Sequence, residues 1–274
     1  MYNKFKIIDS HCHIFPDKIA QKATDSIDNF YHISESGVIN ECGFVGTAKT
    51  LINQCNAVGV EKCLVTSVAT TPHHAQSINA FIASEVKLFP DKFIGFGSLL
   101  PDSETLEDDA EHLVELGLKG VKLHPDIQNF KVDDPKVIKI FEICNEKELP
   151  ILLHTGDSRY DNSNPDRVEK ILKMFPDLII IGAHFGGWSI WDKAPEILCK
   201  YKNLYVDTCS SFYALSKKRA REIIDLYGAD RVIFGTDFPM WKQEDELNFL
   251  FSLGLSEEEL ENILYDNLTK ILEK

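Results

Sequence analysis

Eight short apolar runs recur along the chain at nearly constant spacing, and this recurrence constrains the fold more than any single motif. They read "FKIID", "CLVTSV", "FIGFGSL", "GVKLH", "PILLH", "LIIIGAH", "LYVDT" and "RVIFGTD". Their starts, near Phe5, Cys63, Phe93, Gly120, Pro150, Leu178, Leu204 and Arg231, lie 26 to 30 residues apart after a first interval of 58. Each interval has room for a strand, a loop and an amphipathic helix. In "AQSINAFIASEVKLFPDKF", Ile78, Ile82, Val86 and Phe89 fall on one helical face. "PKVIKIFEICNEKELP" opens with a proline suited to a first helical turn, and "LSEEELENILYDNLTKILEK" opens with the capping-box pair Ser256 and Glu259. Near-continuous apolar strands alternating with helices predict a parallel α/β sheet covered on both faces. Eight repeats of even length predict its closure into a (β/α)8 TIM barrel. An open doubly wound sheet lacks support, because no dinucleotide-binding or P-loop glycine pattern follows any strand.

No linker or low-complexity tract divides the chain, so residues 1–274 are read as a single domain, close to the size common for such barrels. The long first interval predicts an insertion at about residues 15–46. Asp17 to Tyr31 reads as a helix, and the polar, glycine-rich "HISESGVINECGFVG" after it reads as a lid or wall over the barrel mouth. A formal charge of −14 argues against nucleic acid or an anionic membrane as partner. Neither a leader-like segment nor a membrane-length apolar run is visible, so the expectation is a cytoplasmic protein acting on a small molecule. The seven cysteines are scattered without a C-x-x-C pair and read as reduced core residues. Homo-oligomerisation is left open.

Barrel chemistry collects at the C-terminal ends of the strands. Here those ends carry His11 and His13, Lys122 and His124, His154, His184, and Asp237. Alternation along a strand turns His11 and His13 to one face, with α-carbons roughly 6.5–7 Å apart, within reach of one ion. Five of the nine histidines sit at predicted strand ends, and together they imply a metal. His32, His73, His74 and His112 read as surface or loop residues, with His73 or His74 within reach of substrate. Lys122 has three open readings: an interior ion pair, anion binding, or a carbamylated bridge between two metals. Lys122, His124, Arg159, Phe15, Trp188 and Trp241 are the candidate substrate contacts. Loop packing competes with that role for the aromatics, and pairing with Asp157 or Asp161 competes for Arg159.

The motifs "DSHCHIFP", "GVKLHP", "LLHTG", "IIGAHFGG" and "IFGTDFP" span the chain in order and resemble the amidohydrolase superfamily, in the branch that includes aminocarboxymuconate semialdehyde decarboxylase. The resemblance implies a distorted barrel of the metal-dependent hydrolase type. It implies one divalent metal, zinc or else manganese, on His11, His13, His154 and Asp237. Asp237 and His184 become the catalytic pair, Asp237 orienting a metal-activated water and His184 serving as acid, base or electrostatic partner. The first expectation is hydrolysis of a small carboxylated amide, lactone or ester. The alternatives are non-oxidative decarboxylation of an aromatic or unsaturated acid by a carboxy-lyase, and a non-catalytic barrel that keeps its metal for stability.

Overall fold

The computed structural model describes residues 2, 4–31 and 44–273. His32, Cys42 and most of the polar half of the insertion lie outside the described residues. Among the described residues nine parallel strands follow in chain order: β1 (Ile8–His13), β2 (Lys62–Thr66), β3 (Phe93–Gly95), β4 (Gly97–Ser98), β5 (Val121–Leu123), β6 (Ile151–Leu153), β7 (Ile180–Gly182), β8 (Leu204–Asp207) and β9 (Val232–Ile233). They pair as β1-β2-β3 and as β4 through β9 in sequence order. The run expected as one third strand is thus two short strands separated by Phe96. Gly95 and Gly97 flank the break: a Cβ at either would meet Leu118 or Leu113 at 2.6 and 2.4 Å, so the chain passes these side chains too closely for larger residues. At the other seam, Ser10 N–H donates to the Phe234 carbonyl at 2.9 Å and Asp237 N–H to the His11 carbonyl at 2.8 Å, bringing the end of the strand series back to β1. The architecture is the distorted (β/α)8 barrel of the α/β class.

Side-chain alternation sorts the apolar residues into two layers. Val65, Val121, Leu123, Ile151, Leu153, Ile180, Val206 and Val232 join the core between strands and helices. Ile8, Leu64, Phe96, Leu152, Ile181 and Ile233 form a second, interior cluster closed by Leu268 and Ile271 of the C-terminal helix. Lys122 takes an interior position too, opposite Leu152 in register and fully buried.

The first interval holds helices Asp17–Tyr31 and Ala48–Val58, which accounts for its extra length. The second helix expected begins earlier than read, at Pro72, so His73 and His74 lie on a helix rather than a loop. The final helix is likewise not continuous. Its capping box between Ser256 and Glu259 is present, but a π-helical turn, Asn262–Asp266, separates Glu257–Glu261 from Asn267–Leu272. No helix among the described residues is long and apolar enough to cross a membrane.

Candidate metal centre

The register of β1 against β2 shifts between Asp9 and Cys12. Ile8 belongs to the interior layer, and past this bulge Cys12 packs outward, which leaves His11 and His13 turned to the barrel mouth. The chain after β9 brings Asp237 to them. Its Oδ1 lies 3.2 Å from His13 Nε2 and 3.6 Å from His11 Nε2. Ligand bonds of about 2.0–2.2 Å from a tetrahedral centre space donor atoms by about this much. Ser210 Oγ donates to the other oxygen of Asp237 at 2.6 Å and in turn accepts the Trp241 indole N–H at 2.7 Å. His184, Phe185, Ser210 and Asp237 all adopt positive φ, at 60°, 54°, 46° and 63°. Such backbone costs about 1–3 kcal/mol per residue and gathers where side chains must be aimed.

Hydrogen bonds behind the imidazoles fix their tautomers. His11 Nδ1 lies 2.8 Å from Asp207 Oδ2, so it carries the proton and leaves Nε2 as a lone pair, which accepts from Lys122 Nζ at 2.9 Å. The Cys209 carbonyl, 3.0 Å from His184 Nδ1, can only accept. His184 Nε2 is therefore bare and takes the proton of His154 Nδ1 at 2.9 Å. The last nitrogen in this series, His154 Nε2, is buried without a hydrogen-bond partner and lies 3.3 Å from the equally unpartnered Asp126 Oδ2. A bare imidazole nitrogen facing a carboxylate oxygen with no hydrogen between them is a place for a cation. Gly156, at φ 73°, makes this alignment feasible, since a Cβ there would stand 2.7 Å from Gly187 Cα and push the His154 and His184 loops apart.

Burial lowers His13 to about 4 and His184 to about 3, and it also lowers His124. Burial lowers Lys122 as well, against the pull of Asp237. Burial alone would raise Asp237, but His11 and then His13 hold it well below the usual carboxylate range.

The structure brings His11, His13 and Asp237 together, their ligand atoms within 4.8 Å of one another. His154 falls instead in an adjoining group with His124 and Asp126, so the expected four-residue set is divided between two groups, whose histidines and Asp237 line one cavity. That cavity, of about 350 Å³, has His11, His13, Lys122, His154, His184 and Asp237 on its floor. Phe15, Ile27, Phe30, Tyr31, Val68 and Ile127 form much of its wall. Of the candidate substrate contacts, Lys122, His124 and Phe15 line it. Arg159, Trp188 and Trp241 stand outside the lining. Arg159 pairs with buried Asp157, Nη2 to Oδ2 at 2.7 Å, donates to the Phe30 carbonyl, and lies over the rings of Phe30, Tyr31, Tyr160 and Trp188. Asp161 pairs with Arg167 instead. His73 and His74 are exposed and His112 is half-buried, and none of the three lines the cavity. Asp207, Cys209, Asp126 and Tyr31 were missed in the sequence. Asp207 had the same signal as the histidines, a polar residue closing an apolar strand.

A curated relative, 2-amino-3-carboxymuconate-6-semialdehyde decarboxylase of Dictyostelium discoideum, is 32% identical over 82 residues, which is 29% of this chain and only 23% of that protein. Among solved structures, a TIM-barrel protein from Bordetella bronchiseptica superposes with a TM-score of 0.81 at 21% identity, covering 98% of this chain and 99% of that one. A dihydroxybenzoic acid decarboxylase from Polaromonas sp. JS666, with bound manganese and the inhibitor 2-nitroresorcinol, gives a TM-score of 0.72 at 15% identity over 98% and 97%. A protein described as a probable 2-pyrone-4,6-dicarboxylic acid hydrolase from Acinetobacter baumannii, with citric acid bound, gives 0.69 at 16% over 98% and 100%. The sequence profile of the amidohydrolase family matches residues 8–273, and the chain belongs to that family of metal-dependent enzymes.

Proposed function

We propose that the protein is a metal-dependent carboxy-lyase that releases carbon dioxide, without oxidation, from a small aromatic or unsaturated acid. The observation that carries this reading is the contrast within one cavity, ligand-type side chains and one ammonium below, apolar side chains above. Lys122 is the single lysine or arginine in the lining, and residues 32–43 contain neither. The cavity thus offers charge pairing for one carboxylate and an apolar enclosure for one ring. His11, His13 and Asp237 would hold the metal, the ion taking the place of Lys122 Nζ at the His11 Nε2 lone pair and freeing Lys122 for the substrate, with the bare His154 Nε2 as a further donor. Zinc suits this nitrogen and oxygen donor set, manganese has the precedent of the Polaromonas protein, and either supplies Lewis acidity toward a substrate oxygen.

The chain's own residues do the rest. Loss of carbon dioxide leaves an electron pair on carbon, and a proton must reach it. His184 is assigned that transfer at Nε2, whose lone pair would first take a proton from the entering acid or from water and then pass it to the carbon, since Nδ1 is tied to the Cys209 carbonyl. Ser210 holds the Asp237 carboxylate in one orientation, and the apolar wall excludes water from the ring. Hydrolysis of a carboxylated amide, lactone or ester is the second reading, supported by the Acinetobacter neighbour. The apolar enclosure and the decarboxylases among the relatives support placing it second, the reverse of the order expected from sequence.

Zinc- and manganese-loaded protein, assayed against carboxy-aromatic and lactone panels, separates the two. Carbon dioxide release with recovery of the decarboxylated product is the expected result, and hydrolysis without carbon dioxide overturns it. His184→Ala should cost about 10² to 10⁴ in turnover while metal content is kept. Unchanged turnover in a folded His184→Ala variant would mean that this histidine transfers no proton.

A further inference from the structure

Tyr31, the last residue of the insertion helix, lines the cavity, and its hydroxyl lies 2.6 Å from His124 Nε2. The other ring nitrogen decides which group donates. His124 Nδ1 accepts the Ile127 backbone N–H at 3.4 Å, capping the short helix Pro125–Gln128. A nitrogen that accepts carries no proton, so the imidazole proton resides on Nε2. Nε2–H therefore donates to Tyr31, and the phenol oxygen accepts. Tyr31 keeps its own O–H, and among the described residues that hydrogen has no acceptor. Tyr31 is half-buried at the cavity, so this hydrogen is open to a ligand oxygen that enters there. The ring is not free to turn elsewhere, with Arg159 over its face at 5.4 Å and Trp188 against it edge-on at 5.1 Å. Ser26, another hydroxyl in the lining, is already engaged with the Lys22 carbonyl at 2.8 Å.

We propose that Tyr31 is a specificity-determining residue whose O–H donates to an acceptor oxygen on the body of the bound acid, such as an ether, carbonyl or phenol oxygen. This rests on the reading that the cavity takes a small acid, and not on what becomes of the acid there. The occupant selected is a ring acid with an oxygen substituent, in preference to one of equal shape without it.

Calorimetric binding to the metal-loaded protein tests this with methoxybenzoates and the ethylbenzoates of matching ring position, which replace the ether oxygen by a methylene. The wild type should prefer methoxy over ethyl at one ring position by about 5- to 10-fold, the worth of one hydrogen bond. Tyr31→Phe, with metal content and thermal midpoint checked, should abolish that preference while binding the ethyl compound within about 3-fold of wild type. A wild type without preference at any position overturns the proposal before any variant is made, as does a Tyr31→Phe protein that retains it. Should no acid bind, the small-acid reading falls and takes this proposal with it. Should acids bind with the predicted selectivity and release no carbon dioxide, only the carboxy-lyase reading falls.

Discussion

On the floor of the cavity, His11, His154 and His184 each have a hydrogen bond behind them that fixes where the proton sits, whereas the roof rests on a helix that buries only Ala20 and Thr24 beneath it. The floor is built from barrel strands and the strained turns after them. The roof is an addition between β1 and β2, attached at its far end through Arg159 and the Tyr31 contact with His124. A donor set must hold its atoms to a few tenths of an ångström, so its supports are buried and polar. An apolar wall needs only shape, and it can change without disturbing the ion. Changes to the donor set of the floor should therefore alter metal and turnover together, and changes in the roof should alter ligand choice alone.

The largest expected effect is on the floor. The double variant His11→Ala and His13→Ala should lose bound metal to background in elemental analysis. Turnover should fall by at least about 10³-fold, since such an ion contributes several kcal/mol to the transition state. Stoichiometric metal in that variant would place the centre on the His124, Asp126 and His154 group instead. Asp207→Asn keeps the shape but weakens the hold on the His11 Nδ1 proton, and it should cost about 10- to 100-fold in metal affinity by competition with a chelator. An unchanged affinity would mean that the tautomer of His11 is fixed by something other than Asp207.

The two regions also differed in how well the sequence revealed them. A histidine closing an apolar strand is a one-residue signal, so His11, His13, His154 and His184 could be read directly. Asp207 closes "LYVDT" in the same way, but an acid at a strand end has many ordinary roles and is a weaker signal on its own. The bulge in β1 could not be read, because a register shift exists only relative to β2. The close passage at Gly95 and Gly97 depends on Leu118 and Leu113, which the strand's own residues do not reveal. On the roof, Phe15, Trp188 and Trp241 looked alike as aromatics near strand ends. Loop paths separated them: Phe15 faces the cavity, Trp241 is drawn to Ser210, and Trp188 backs Arg159.

Acid should sharpen the same contrast at intermediate size. His13 and His184 fall from an ordinary value near 6.5 to about 4 and about 3 on folding, because burial disfavours their charged forms. Between those limits the unfolded chain binds more protons than the folded one, so this contribution to stability is complete above pH 6.5 and drains away as pH falls toward 4. Urea titrations of metal-free protein should show the midpoint dropping through that window. His184→Gln should flatten the slope, whereas Phe15→Leu in the wall should leave it unchanged. A slope insensitive to His184→Gln would mean that the imidazole is solvated in the metal-free state.

The smallest effect tests whether the roof is independent of the floor. Trp188 contributes a ring to Arg159 at 5.4 Å and an edge contact to Tyr31, without lining the cavity. Trp188→Leu should remove about 0.5–1 kcal/mol of cation–π attraction and a similar aromatic contribution. For a chain of this size, that lowers the thermal midpoint by a few degrees, about 2–4 °C per kcal/mol. Acid binding should weaken only about 2- to 5-fold as Tyr31 loses its backing, with metal content unchanged. A loss beyond about 10-fold in binding would make Trp188 a direct substrate contact, and a loss of metal would mean that roof and floor form one cooperative unit.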